Sequence, residues 1–169
     1  MEDVDLLFLA WVNLSSFTKN SVAEKIHKYA HRKKIVIVEF GGDPLNIFVG
    51  PIFPNDDSSP CLHCVIDDIK EEWYGPTSEK INSFRQARIQ ENYEDGQRTV
   101  NAWQTSASLS IMSGLAVDQA IKVITGCEKP SMVGRRIYTS MQDNSQKEIT
   151  YLKKSSCDWC GTKDQNHTS

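Results

Sequence analysis

The sequence holds no glycine-rich phosphate loop: neither GxGxxG nor GxxxxGK followed by Ser or Thr occurs in its 169 residues. Either pattern would let backbone N–H groups close around phosphates at the start of a helix, so nucleotide binding through such a loop has no support in the chain itself. A secretory signal is also missing. The opening Met1-Glu2-Asp3-Val4-Asp5 is acidic where a signal peptide is basic, which points to the cytoplasm. Without secretion, the glycosylation-like triplets Asn13-Leu14-Ser15 and Asn166-His167-Thr168 carry no weight. Nor is there a large charge of one sign. Nineteen Lys and Arg against twenty-two Asp and Glu leave a formal charge of −3, which argues against a general nucleic-acid binder and against attraction to anionic membranes. The apolar windows read as too short for a membrane span. The composition that remains, 39% apolar and 24% charged, is that of a soluble globular chain long enough for one domain with its own core.

Cysteine is scarce but ordered. Cys61-Leu62-His63-Cys64 and Cys157-Asp158-Trp159-Cys160 are two CxxC pairs, and Cys127 is the fifth cysteine. One CxxC alone also fits a redox dithiol. Two together supply four thiolates, the ligand set of a closed tetrahedral zinc site, although their separation far exceeds that of a zinc ribbon. Disulfides are the alternative and would need an oxidising compartment. Four thiolates leave no open position for water, so a zinc ion here is structural, not catalytic. Cys61, Cys64, Cys157 and Cys160 are thus the candidate metal ligands. His63 is expected to point outward, as a solvated residue or one standing behind the ligands. Cys127, beside Thr125-Gly126, reads as a buried or boundary thiol.

The apolar run from Leu6 to Trp11 reads as a buried parallel strand, and Ile35-Val36-Ile37-Val38 as a second one. Between them, Ser21-Val22-Ala23-Glu24 has capping-box spacing, and Val22, Ile26, Tyr29 and Ala30 make an apolar helical stripe. The basic residues from Lys25 to Lys34 suit a solvated helix C-terminus. Strand, helix, strand is a right-handed βαβ unit, hence an α/β sheet. Glu39-Phe40-Gly41-Gly42 suits a turn, with a ligand loop as the alternative, and Asn46 to Val49 and Ile52-Phe53 are short strands around Gly50-Pro51. Residues 66–98 are expected to form a flexible crossing segment. In it, Asp67, Asp68, Glu71 and Glu72 read as a solvated helix face in preference to a magnesium or acid–base site. Val100, Trp103, Ala107, Ile111, Leu115, Ala116, Ala120, Ile121 and Ile124 mark a long helix expected to be buried nearly all round at its middle. Its small residues fit core packing and a homodimer interface equally. Thr125-Gly126 ends it. A hairpin of residues 136–141 and 148–152 then delivers the second cysteine pair, and 161–169 is a frayed tail.

This order resembles the C-terminal half of the ThiF/MoeB/HesA-type adenylating enzymes of the ubiquitin-activating superfamily. The resemblance lies in the strand Asp5-Leu6-Leu7-Phe8-Leu9-Ala10-Trp11-Val12-Asn13, in Gly50-Pro51-Ile52-Phe53-Pro54, in Cys61/Cys64, in Thr125-Gly126 and in Cys157/Cys160. It implies one domain over 1–169: a partial Rossmann-like sheet with a long helix, a β-hairpin and a four-cysteine zinc site. It also implies ATP-Mg chemistry on the C-terminal carboxylate of a small protein or peptide, and in many members a homodimer.

The chain departs from the family pattern where that chemistry sits. The phosphate loop and its basic residues would lie before residue 1. Val12 stands where the family has the Asp linked to magnesium and ATP, Asn13 is retained, and Leu9 replaces an acidic position. No cysteine between Cys64 and Cys127 offers a thioester. The sequence therefore nominates no catalytic and no cofactor-binding residue, and ATP-Mg enters only if the N-terminal half is supplied. The absent thiol is similar to members that modify ribosomally made peptides, including those associated with cyclodehydratases. That leaves an alternative: a catalytically silent scaffold that binds a leader peptide or a partner enzyme.

Overall fold

The computed structural model describes residues 4–11, 22–42, 46–56, 58–74 and 106–161. Among them the elements run β1 (Leu6–Trp11), α1 (Val22–Lys33), β2 (Val36–Gly42), β3 (Asn46–Phe53), α2 (Leu62–Tyr74), α3 (Ser106–Thr125), β4 (Arg135–Ser140) and β5 (Gln146–Thr150). The five strands make one sheet in sequence order. β1 and β2 are parallel, with Leu6 opposite Val36 and Trp11 opposite Gly41. Such a pairing needs a crossover, and α1 supplies it. β2, β3, β4 and β5 follow as an antiparallel meander. The fold is therefore mixed α/β with an open sheet, a long helix and a hairpin, as expected.

Alternation along the strands separates two cores. Ile37, Phe48 and Phe53 face α1, α2 and the cysteines, while Val38, Ile47, Val49 and Ile52 face Met112 and Ala116 of α3. Each face of the central strands is thus covered by helix. The edges differ. β5 is polar and mostly exposed, as an edge strand should be. β1 is apolar, yet no strand among the described residues pairs with its far side, and Phe8 is 45% exposed. The expectation of a β1 covered on both faces is not met among the described residues.

The helices bury other stripes than the sequence suggests. α1 buries Ala23, His27 and Ala30, whereas Val22 is 72% exposed and Tyr29 only partly covered. Two alanines let the helix lie close to the sheet, and His27 is drawn inward by a carboxylate. The capping residue Ser21, like Val12 and Asn13, lies outside the described residues. α2 extends over residues 66–74, which the sequence had suggested were flexible. Its Leu62, Val65 and Ile69, at helical spacing, are buried, while Asp67 and Asp68 form a solvated face. The rest of that segment, 75–98, lies outside the described residues, as does the expected start of the long helix at Val100.

α3 departs furthest from expectation. It buries only Ser108, Met112, Ala116, Gln119 and Ala120 and leaves Leu109, Ile111, Leu115, Val117, Ile121 and Ile124 exposed. Nor does its apolar run stop short of a membrane span: its 20 residues are long and apolar enough to cross one by length and composition. The only charges within it are Asp118 and Lys122, paired with one another at 3.1 Å. The buried amide of Gln119 is not wasted, since its Oε1 accepts from the backbone N–H groups of Ser131 and Met132 at 2.9 and 3.2 Å. Gly126, at φ 64°, closes the helix by donating to the Lys122 carbonyl at 3.0 Å.

One buried polar cluster ties β2, β4 and α1 together. Glu39 and Arg136 are fully buried, and Arg136 Nη2 donates to Glu39 Oε2 at 2.9 Å. The other carboxylate oxygen lies 2.9 Å from His27 Nε2. Arg136 also donates from Nε to the Gly50 carbonyl at 2.8 Å and from Nη1 to the Tyr138 hydroxyl at 3.1 Å, with its guanidinium 4.5 Å from the Phe48 ring centroid. Burial opposes its charge, but the Tyr138 and Tyr151 hydroxyls and the Glu39 carboxylate raise its pKa further. The sequence reading placed Glu39 at a turn. It lies inside β2 instead, because its charge is matched from a strand 97 residues away.

Gly50 is where this packing tolerates no side chain. It adopts φ +90°, and a Cβ there would fall on the Arg135 carbonyl oxygen, which is backbone and cannot swing away. Gly50→Ala should therefore cost about 3 kcal/mol or more, strain and clash together. Urea unfolding of the purified variant checks this, and a midpoint equal to the parent's would contradict the packing.

Candidate metal centre

The two cysteine pairs reach one point by different routes. Cys61 precedes α2 and Cys64 sits in its first turn, with the Cys64 N–H donating to the Cys61 carbonyl at 3.0 Å. The N-terminal end of a helix, with its free N–H groups, favours nearby thiolates. Cys157 and Cys160 follow the hairpin in a tight knuckle. The Cys157 N–H donates to the Lys154 carbonyl, and the Gly161 N–H donates to that of Cys157 at 2.8 Å. Gly161 closes that turn: a Cβ there would meet the carbonyl oxygens of Ser155 and Cys157.

All four sulfurs are buried and lie within 4.8 Å of one another. The nearest pairs are Cys61–Cys64 at 3.9 Å, Cys61–Cys157 at 3.5 Å and Cys64–Cys160 at 3.3 Å. A tetrahedron with metal–sulfur bonds of about 2.3 Å has edges of about 3.8 Å. The arrangement therefore fits a zinc-sized ion, and the separations are far beyond an S–S bond, so all four are free thiols. What the structure shows is a four-cysteine cluster able to hold a metal. Cys127, the cysteine outside it, is exposed and so not the buried or boundary thiol expected.

The thiols are not equivalent. Burial pushes Cys61 well above the ordinary thiol range, and burial with a hydrogen bond to Cys64 raises Cys160 to about 11. At Cys157 burial also opposes ionisation. The Cys160 and Trp159 backbone N–H groups and the His63 ring outweigh it and draw the thiol down to about 6. The Lys154 backbone N–H donates to Cys64 Sγ at 3.4 Å. Donors of this kind are what a cluster of buried thiolates requires.

Beside the sulfurs stands a stack of rings. His63 Nδ1 lies 3.7 Å from Cys157 Sγ, and its ring stacks on Trp159 with centroids 5.3 Å apart. His31 of α1 reaches the other way, its Nε2 at 2.9 Å from the Trp159 carbonyl and its ring stacked on the indole at 6.4 Å. His63 is thus a half-buried residue behind the ligands, one of the two placements its sequence position suggested. His31 and Trp159 were not singled out by the sequence. The signal available was two histidines, His27 and His31, one helical turn apart on α1.

No protein-family model matches the chain, and no curated protein matches it. Solved structures do, and they give the class: the chain has the fold of the ThiF/MoeB/HesA-type adenylating enzymes. The particular matches follow. PaaA is 38% identical, with a TM-score of 0.62 over 88% of this chain and 42% of its own. MccB of E. coli is 14% identical, with a TM-score of 0.67 over 98% of this chain and 41% of its own. MccB has also been solved with ATP and, described as a microcin C7 biosynthetic enzyme, with N-formylated MccA. The chain spans about two fifths of the length of these proteins.

Proposed function

We propose that this chain is the zinc-bearing portion of a ThiF-type, ATP-dependent adenylating protein acting on the C-terminus of a small protein or peptide, and that it does not catalyse alone. The observation that carries this reading is the fold shared with MccB over 98% of this chain, together with the four-cysteine cluster. The bare apolar edge of β1 agrees with it. A parallel strand of this composition belongs inside a sheet, and among the described residues no strand lies on its outer side. The substrate class is supported by MccB, whose structures hold ATP and MccA, a likeness of fold carried over here as a proposal. Cys61, Cys64, Cys157 and Cys160 would hold the zinc, which supplies no chemistry beyond fixing the hairpin knuckle to α2. ATP-Mg would bind only where the remaining strands bring a phosphate loop. Four free thiols agree with a cytoplasmic setting, and the exposed apolar face of α3 with a second copy of the chain.

The same surfaces also suit the second reading, a silent scaffold that presents a leader peptide to a partner enzyme. ATP-dependent pyrophosphate exchange separates the two. The zinc-loaded chain alone, with Mg and a peptide having a free C-terminus, should give none. Mixed with the segment of MccB, the relative solved with ATP, that has no counterpart here, it should give exchange. Exchange by the chain alone would overturn the claim that it is incomplete. A stable mixed complex without exchange would overturn adenylation and favour the scaffold.

A further inference from the structure

We infer that His63 is a positioning residue of the four-cysteine centre: its Nδ1–H donates a hydrogen bond to the Cys157 sulfur, held to this task by its stack on Trp159. The inference rests on the cluster holding a metal, as read above, and not on the adenylating function.

The geometry selects one ring edge and one sulfur. Nδ1 of His63 faces Cys157 Sγ at 3.7 Å, a normal separation for a donor to sulfur. In the cluster the sulfurs carry four negative charges when ionised and a divalent ion cancels two, so a buried dianion is left. Such a group is stable only if N–H donors face it. Backbone supplies several, at Cys157 from the Cys160 and Trp159 N–H groups and at Cys64 from Lys154. Among the described residues, His63 is the side chain that joins them.

Its orientation is not left to chance. An imidazole free to tilt would not keep its edge toward the sulfur. Stacking against Trp159 at 5.3 Å and 21° fixes the ring plane. Trp159 is fixed in turn, because its carbonyl accepts from His31 Nε2 at 2.9 Å and its ring stacks on that imidazole. The three rings therefore form one column, His31 on α1, Trp159 in the second knuckle and His63 in the first. It couples the crossover helix to the ligand sphere. His63 belongs to the first CxxC and Cys157 to the second, so the hydrogen bond also crosses between the two knuckles.

The test uses the full chain with cadmium or cobalt in place of zinc. In the 113Cd-loaded parent, proton–cadmium correlation spectra should show coupling between the His63 Nδ1–H proton and the metal, transmitted through Cys157. This needs no variant, and its absence would overturn the donor role. In the cobalt form, His63→Phe keeps a flat ring but removes the donor. It should shift the sulfur-to-cobalt charge-transfer band to lower energy and speed metal loss to a chelator about tenfold. His63→Asn, with an amide N–H near the same place, should restore both toward the parent. A Phe variant with unchanged band and rate would overturn the inference. A changed Phe variant that Asn does not rescue would assign the effect to ring packing and overturn the hydrogen bond.

Discussion

Removing the metal with a strong chelator should lower the unfolding temperature of this protein by about 8–16 °C. A ligand bound only to the folded state, at a thousand times its dissociation constant, stabilises by about 4 kcal/mol, and a chain of this size shifts about 2–4 °C per kcal/mol. The effect is large because the ion joins sites 96 residues apart, Cys61 to Cys157 and Cys64 to Cys160. Without it the contacts left between the knuckle after β5 and α2 include the His63–Trp159 stack, the Lys154–Asp68 ion pair and the Lys154 N–H bond to Cys64. Cys157→Ser should reproduce the loss, since a neutral hydroxyl does not replace a thiolate. Chelator added to that variant should then do little more, because both changes remove the same bond set. Plasma emission on the parent should give about one zinc per chain. Folded, pure protein without zinc, or a Cys157→Ser variant that melts with the parent, would sink the site.

Arg136→Ala should destabilise the fold by about 3–5 kcal/mol, the cost of leaving the Glu39 charge buried without its partner. Three further losses add to it in kind: the Gly50 carbonyl, the Tyr138 hydroxyl and the packing against Phe48 each lose the guanidinium. Glu39→Ala should cost a similar amount by stranding Arg136. The double variant Glu39→Ala with Arg136→Ala should cost far less than the sum of the two single variants, since it leaves neither charge stranded. Chemical denaturation of the four proteins gives the coupling energy. Additive losses would mean that the pair is not the unit described. His27 Nδ1, buried with no hydrogen-bond partner among the described residues, belongs to this cluster.

The four-cysteine cluster was legible in the sequence because CxxC is a local code. Two thiols three residues apart can reach one ion whatever the rest of the chain does, and two such pairs make a full ligand set. Strand and hairpin positions were legible for a similar reason: runs such as Leu6 to Trp11 and the polar turn before β5 are set by near neighbours. The edge and core roles of those elements were not. α3 has apolar residues around most of its circumference, so its periodicity fixes no single face, and the sheet chose Met112 and Ala116 over Ile111 and Ile121. On α1 the sequence favoured Val22 and Tyr29, but packing distance and Glu39 selected Ala23 and His27.

By itself, then, the sequence determined which residues could bind a metal and that a strand–helix–strand unit opens the described fold. All of these rest on interactions a few residues long. Only the tertiary structure decided that Glu39 is buried, that His63 faces the Cys157 sulfur, and that β1 ends the described sheet with an apolar edge. The burial of a charge, the direction of a ring and the covering of a strand each depend on a partner far away in sequence, and no local pattern specifies it.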